Sequence, residues 1–217
     1  TAAPRTRAVA ESEEGKEEVT RKAPRTSQSV EYPAIPTERD PDYFEHVAES
    51  CEQGEIIRVL RSSLYRLIRM RGWSRVMAGA DYYFAWDPRQ PRVRVSPDVY
   101  LLDDPPEVLP RMWRTWLSGQ PPPRWAVEIV SEDWRKDYEE NPPKYEALGC
   151  RELVIFDPEA ARGATRNRRR SALTVYRRDE AGRLVRAYAG KGQAYSEELG
   201  VWLIVPRPQA YAVEVRL

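Results

Sequence analysis

Glu128 stands in the middle of Trp125-Ala126-Val127-Glu128-Ile129-Val130-Ser131, a run otherwise apolar and rich in β-branched residues. Pro121, Pro122 and Pro123 lead into it, so the run reads as a short buried strand. An ionised carboxylate buried there without a partner is costly, so Glu128 calls for a metal, a base or a cluster of donors. Asp98 offers an explanation. Residues 93–102 alternate, with Val93, Val95, Val99 and Leu101 on one face and Arg94, Ser96, Asp98 and Tyr100 on the other. If the two strands pair antiparallel, the acids come close together. Two carboxylates and a backbone carbonyl, for which Ile129 is well placed, make an oxygen site for Mg²⁺. Such an ion polarises a phosphodiester oxygen and acidifies a bound water, and a lysine nearby helps to deprotonate that water.

Composition narrows the chemistry further. The 217 residues carry a net charge of +1, so any case for nucleic acid rests on local charge distribution. His46 is the sole histidine, which removes histidine-rich zinc sites and leaves a Ser-His-Asp triad one base. It lies in polar sequence and reads as a solvated surface residue. Cys51 and Cys150 stand far apart without CxxC spacing and read as free thiols. No apolar run approaches the ~20 residues of a membrane span, no signal-peptide core is present, and a cytoplasmic location is expected. A glycosidase using Asp98 and Glu128 as acid and base needs a sugar-binding cleft that nothing in the sequence suggests.

These acids need elements to hold them. Residues 1–40 are poor in large apolar side chains and mix Pro, Ser and charge, the composition of a flexible tail; 41–217 have the length of a single domain. Over 51–71, Ile57, Leu60, Leu64, Leu67 and Ile68 recur at helical spacing, and Arg71-Gly72 closes the helix. Arg58, Arg61 and Arg69 fall on another face, which is either solvated or tracks a phosphate backbone. Strands are expected at 76–86 and 93–102, then a short helix around 111–117 in which Trp113 and Trp116 pack the excursion down. Strand 125–130 follows. Asn141-Pro142-Pro143 caps and opens a helix that ends at Gly149. Residues 152–158 form a further core strand, and β structure is expected at 172–177, 184–189, 201–205 and 212–215. The loop carrying Arg166, Arg168, Arg169 and Arg170 is either a solvated hairpin excursion or a nucleic-acid patch.

In order and spacing, Ser96-Pro97-Asp98-Val99, Val127-Glu128-Ile129-Val130-Ser131, Tyr145 to Gly149, Glu152 and Phe156-Asp157-Pro158 resemble a known family. It is the bacterial putative restriction endonuclease domain family of the PD-(D/E)XK nuclease superfamily. Tyr82 to Pro88 and Ser196-Glu197-Glu198-Leu199-Gly200 extend the resemblance over residues 45–217. The resemblance implies an α/β (α+β) fold: a restriction-endonuclease-like core of central mixed β-sheet flanked by helices, with an extra C-terminal β region.

It also implies Asp98 and Glu128 as ligands of Mg²⁺ or Mn²⁺. A lysine of the following helix, one turn before Tyr145, should assist them. Asn141 holds that place, and Lys144 is either its substitute or a surface lysine of the first helical turn; Lys136 is a remoter candidate. Glu49 falls where the superfamily often carries an additional acid, and Gln53 where many members have His. The function implied is Mg-dependent endonucleolytic hydrolysis of DNA, with a homodimer a common arrangement for cutting both strands. The alternative is a catalytically reduced nuclease-fold protein that binds nucleic acid or a protein partner.

Overall fold

The computed structural model describes residues 51–205 and 214–216; the expected tail, His46 and Glu49 lie outside the described residues. Helix α1 (Cys51–Arg71) buries Ile56, Ile57, Leu60, Leu64 and Leu67 on one stripe. Burying side chains of this size contributes about 1.5–3 kcal/mol each. The helix stops at Gly72, whose φ of 64° suits glycine, and the Gly72 amide returns to the Arg69 carbonyl.

The chain then runs through β1 (Val76–Gly79), β2 (Phe84–Ala85), β3 (Arg94–Val95), β4 (Val99–Asp103), β5 (Trp113–Arg114) and β6 (Trp125–Ile129). A π-helical turn, Lys136–Glu140, leads straight into α2 (Asn141–Leu148) and on to β7 (Glu152–Phe156). After the short α3 (Pro158–Arg162) come β8 (Leu173–Arg178), β9 (Leu184–Gly190), β10 (Gln193–Ser196), β11 (Val201–Ile204) and β12 (Glu214–Arg216).

The central sheet has the order β1-β4-β6-β7-β8-β9 and is mixed, because β6 and β7 pair in parallel and their neighbours antiparallel. Every residue of β6 and β7 is buried, as expected for parallel strands covered on both faces. One face packs in a single core with α1 and with Ala194, Val201 and Leu203 of a C-terminal sheet, β10-β11-β12. The opposite face packs on Tyr145 and Leu148 of α2 and on Phe84, Val95 and Trp113 of a small sheet, β3-β2-β5. The α/β (α+β) architecture of central mixed sheet, flanking helices and added C-terminal β region is the expected one. Among the described residues no helix is long and apolar enough to cross a membrane.

Three local expectations are corrected. The strands read as 76–86 and 93–102 are each cut in two, and the pieces join different sheets. Pro97 has no amide to continue a ladder, and opposite it Asp81 takes a φ of 49°, its amide donating to the Pro97 carbonyl at 3.2 Å. The helix expected around 111–117 is instead β5, parallel to β2. There the Trp113 amide reaches the Tyr83 carbonyl at 2.9 Å, and its buried indole donates to the Pro121 carbonyl at 2.7 Å. Non-local pairing outweighs the local tryptophan spacing.

Arg170, expected as a candidate nucleic-acid contact, has its side chain largely buried against an acid. Its guanidinium clasps the fully buried Asp157 with two hydrogen bonds, of 2.7 and 2.9 Å, while Asp157 caps α3 through the Ala160 amide. Arg170→Ala strands that carboxylate and is expected to destabilise the fold by about 3–5 kcal/mol, read as a fall in the urea midpoint.

Candidate metal centre

β4 and β6 pair antiparallel with Val99 opposite Val127 and Leu101 opposite Trp125. Continuing that register by one residue sets Asp98 opposite Glu128. Directly opposed residues of an antiparallel ladder project to the same side, so the two acids share one side at one end of the strands. Both are buried, Asp98 at 8 % exposure and Glu128 at 6 %.

Each acid is held by named donors. The Asp98 Oδ2 accepts the Ile129 amide at 2.6 Å, and its Oδ1 accepts the Gln53 side-chain amide at 2.8 Å. Glu128 Oε1 accepts the Tyr145 hydroxyl at 2.6 Å and the Asn141 side-chain amide at 3.2 Å. Among the described residues nothing donates to Glu128 Oε2. No lysine or arginine among them bonds to either acid.

Asp137 is the acid that sequence reasoning missed. It is 2 % exposed, takes the Ser131 amide on Oδ2 at 3.3 Å, and shares the Asn141 amide nitrogen, which reaches its Oδ1 at 3.3 Å. Asn141 thus spends one N–H on each carboxylate and ties Glu128 to Asp137. Asp137, Asn141 and Tyr145 stand four residues apart, so the π-turn and α2 present them as one row. That spacing is the signal the sequence did contain.

The electrostatics follow from this geometry. Burial, then the charge of Asp98, push the Glu128 carboxyl well above its usual range, against the pull of the Tyr145 hydrogen bond. Burial raises Asp98 to about 6, opposed by the Ile129 and Gln53 donors. Burial likewise raises Asp137 to about 6, opposed by the Ser131 amide and by the positive field of Lys136, which also acts on Glu128.

Carboxyls whose folded pKa is raised hold protons that the unfolded chain releases. Their stabilising effect is therefore complete below about pH 4 and is lost as pH rises through about 6 for Asp98 and Asp137. Thermal melts in EDTA are expected to show the melting temperature falling across that window, with a shallower fall in Asp98→Asn. A wild-type profile flat from pH 4 to 7 contradicts this.

The remaining expected residues fall as follows. Lys144 does not join the acids: its ammonium pairs with Glu140 at 3.3 Å on the exposed side of α2. Ile129 contributes its amide to Asp98, which the sequence reading did not foresee. Arg58 pairs with Glu55, with its Nε 2.7 Å away, Arg61 lies over Tyr65, and Arg169 faces Glu139 at 3.9 Å. Arg69, Arg166 and Arg168 are exposed. The buried Cys150 thiol is free and approaches the Glu152 carbonyl at 3.3 Å. Among the described residues no group of three or more His, Cys, Asp or Glu side chains is arranged to hold a metal, so the candidate set is two carboxylates and a carbonyl.

Comparison with known proteins adds to this picture. The model of a family described as Uma2, putative restriction endonuclease, matches residues 48–205. A crystal structure described as a putative nuclease belonging to DUF820, from Anabaena variabilis ATCC 29413, superposes with a TM-score of 0.51. Its sequence identity is 12 %, over 73 % of this chain and 80 % of that one, so the likeness is one of fold. No curated protein matches.

Proposed function

The chain belongs to the Uma2 family of putative restriction endonucleases, and on that premise we propose that it is a divalent-metal-dependent endonuclease hydrolysing DNA phosphodiester bonds. The observation that carries the proposal is the opposition of two buried carboxylates, Asp98 and Glu128, with no cation bonded to either among the described residues.

The donor set fits Mg²⁺ or Mn²⁺. Both acids are hard oxygen donors raised by burial, which is the condition a bound cation relieves. Asp98 and Glu128 would hold the ion, with the Ile129 carbonyl as a third oxygen. When bound, the ion supplies a polarised phosphodiester oxygen and an acidified water. The chain's own residues orient the site. The Ile129 amide and Gln53 fix Asp98, while Tyr145 and Asn141 occupy one oxygen of Glu128 and leave Oε2 for a ligand. Tyr145, Ala126 and Val130 form a dry wall behind the acids.

A second reading, a metal-binding member with little or no cleavage, is favoured by Asn141. Its neutral amide stands where the family resemblance calls for a lysine. Incubating supercoiled plasmid with Mg²⁺, Mn²⁺ or EDTA separates the two. Nicked and linear product is expected only with metal, and is expected to vanish in Asp98→Asn and Glu128→Gln. Cleavage surviving both substitutions sinks the site assignment, whereas metal-dependent thermal stabilisation without cleavage favours the second reading.

A further inference from the structure

With a net charge of +1, this chain needs a local surface of unpaired cations if it is to hold DNA, and of the arginines expected from sequence Arg58, Arg169 and Arg170 are paired with acids. The small sheet β3-β2-β5 carries a different set. Ala85 of its middle strand is paired with Arg94 on one side and Arg114 on the other, so both arginines share its face. Ala85 is fully buried although both arginines are exposed. The opposite face of this sheet, formed by Phe84, Val95 and Trp113, is packed into the core. The arginine face therefore looks outward.

Two details suit this face to phosphates. Arg94 lies over the ring of Tyr83, its guanidinium carbon 3.8 Å from the centroid, and Tyr83 is 45 % exposed. A guanidinium stacked by its face keeps its N–H edge for a bidentate phosphate contact. Arg92 and Arg111 are exposed beside it, and none of these four arginines has an acidic partner among the described residues. Arg89, in the same hairpin, is by contrast held by Asp87 at 3.1 Å.

The face is also tied to the acids. The β2–β3 pairing sets Phe84 opposite Val95, and further along the same two segments the Asp81 amide donates to the carbonyl of Pro97, next to Asp98. Arg94 is four residues from Asp98, a span of at most about 14 Å. Along that length of duplex lie about eight phosphate charges.

We propose that the outer face of β3-β2-β5 is the docking surface for duplex DNA, with Arg94 and Arg114 gripping phosphates on either side of Ala85 and Tyr83 lying against the strand. This rests on the nuclease reading of the Asp98–Glu128 site. The test is fluorescence anisotropy of a labelled 20-base-pair duplex in Ca²⁺, over a series of salt concentrations, with the intact chain. Arg94→Ala/Arg114→Ala is expected to weaken binding at least tenfold and to lower the slope of log affinity against log salt by about 2. The control Arg162→Ala/Arg183→Ala removes equal charge from guanidiniums already paired with Glu52 and Asp179, and is expected to bind as wild type.

An unchanged slope in the first pair, an equal loss in the control, or no duplex binding by wild type overturns the proposal. Cleavage in Mg²⁺ is read separately. Slope loss without cleavage leaves the docking surface standing and removes hydrolysis, while cleavage with an unchanged slope does the reverse.

Discussion

Glu128→Gln is expected to raise the melting temperature of the metal-free protein at pH 8 while abolishing both stabilisation by Mg²⁺ and cleavage. The two effects have one cause. Glu128 is buried beside Asp98 and within the field of Asp137, and its carboxyl is pushed well above the usual range. Without a cation, the fold at pH 8 bears either a buried charge or the cost of a proton taken from dilute solution. Glutamine keeps the shape and one acceptor oxygen, so Tyr145 and Asn141 retain their partner. What it removes is the repulsion. Relieving an uncompensated buried charge is worth about 1–3 kcal/mol, or several degrees at about 2–4 °C per kcal/mol for a domain of this size. Loss of a metal ligand removes about 4 kcal/mol or more of transition-state stabilisation, about a thousandfold in rate. Differential scanning fluorimetry in EDTA and in Mg²⁺, beside the plasmid assay, checks both halves. A variant that melts lower than wild type without metal, yet still gains stability from Mg²⁺, defeats the assignment of Glu128 as a ligand.

That an acid at 128 needed a partner was legible because a continuous apolar run leaves a carboxylate nowhere to go. The companion strand was legible too, since alternation put Asp98 on a face away from Val95 and Val99. Other parts were hidden for physical reasons. The pairing of Arg170 with Asp157 forms only when the β7–β8 hairpin closes around α3, and until then Arg170 is indistinguishable from Arg168. The small sheet consists of two-residue strands, and β5 joins β2 from much further along the chain, so no local periodicity announces it. Asp137 stands in a polar, acidic segment with Glu132, Asp133, Glu139 and Glu140, and nothing local sets it apart from them. Its burial depends on a π-helical turn, which feeds the polar segment directly into α2 and aligns positions 137, 141 and 145.

Asn141→Lys is expected to increase metal-dependent cleavage by about 10²-fold, the lower range for a correctly placed acid–base group. Asn141 is nearly fully buried, and its amide nitrogen lies 3.2 Å from Glu128 and 3.3 Å from Asp137. A neutral amide there satisfies hydrogen bonds but leaves three raised carboxyls without a cation in contact. A lysine ammonium at the same place is attracted to both acids, lowers their pKa values, and stands near where water and phosphate meet the site. The charge also relieves the metal-free fold, so the fall in melting temperature between about pH 4 and 6 is expected to flatten. Lysine is longer than asparagine, and crowding alone is tested by Asn141→Met, which adds similar length without charge. The methionine variant is expected to cleave no faster than wild type. If the lysine variant folds, shows the flattened pH profile and still cleaves no faster, then a positive charge next to Glu128 is not what limits this site. Attention then moves to Lys136, the described lysine whose field already reaches Glu128 and Asp137.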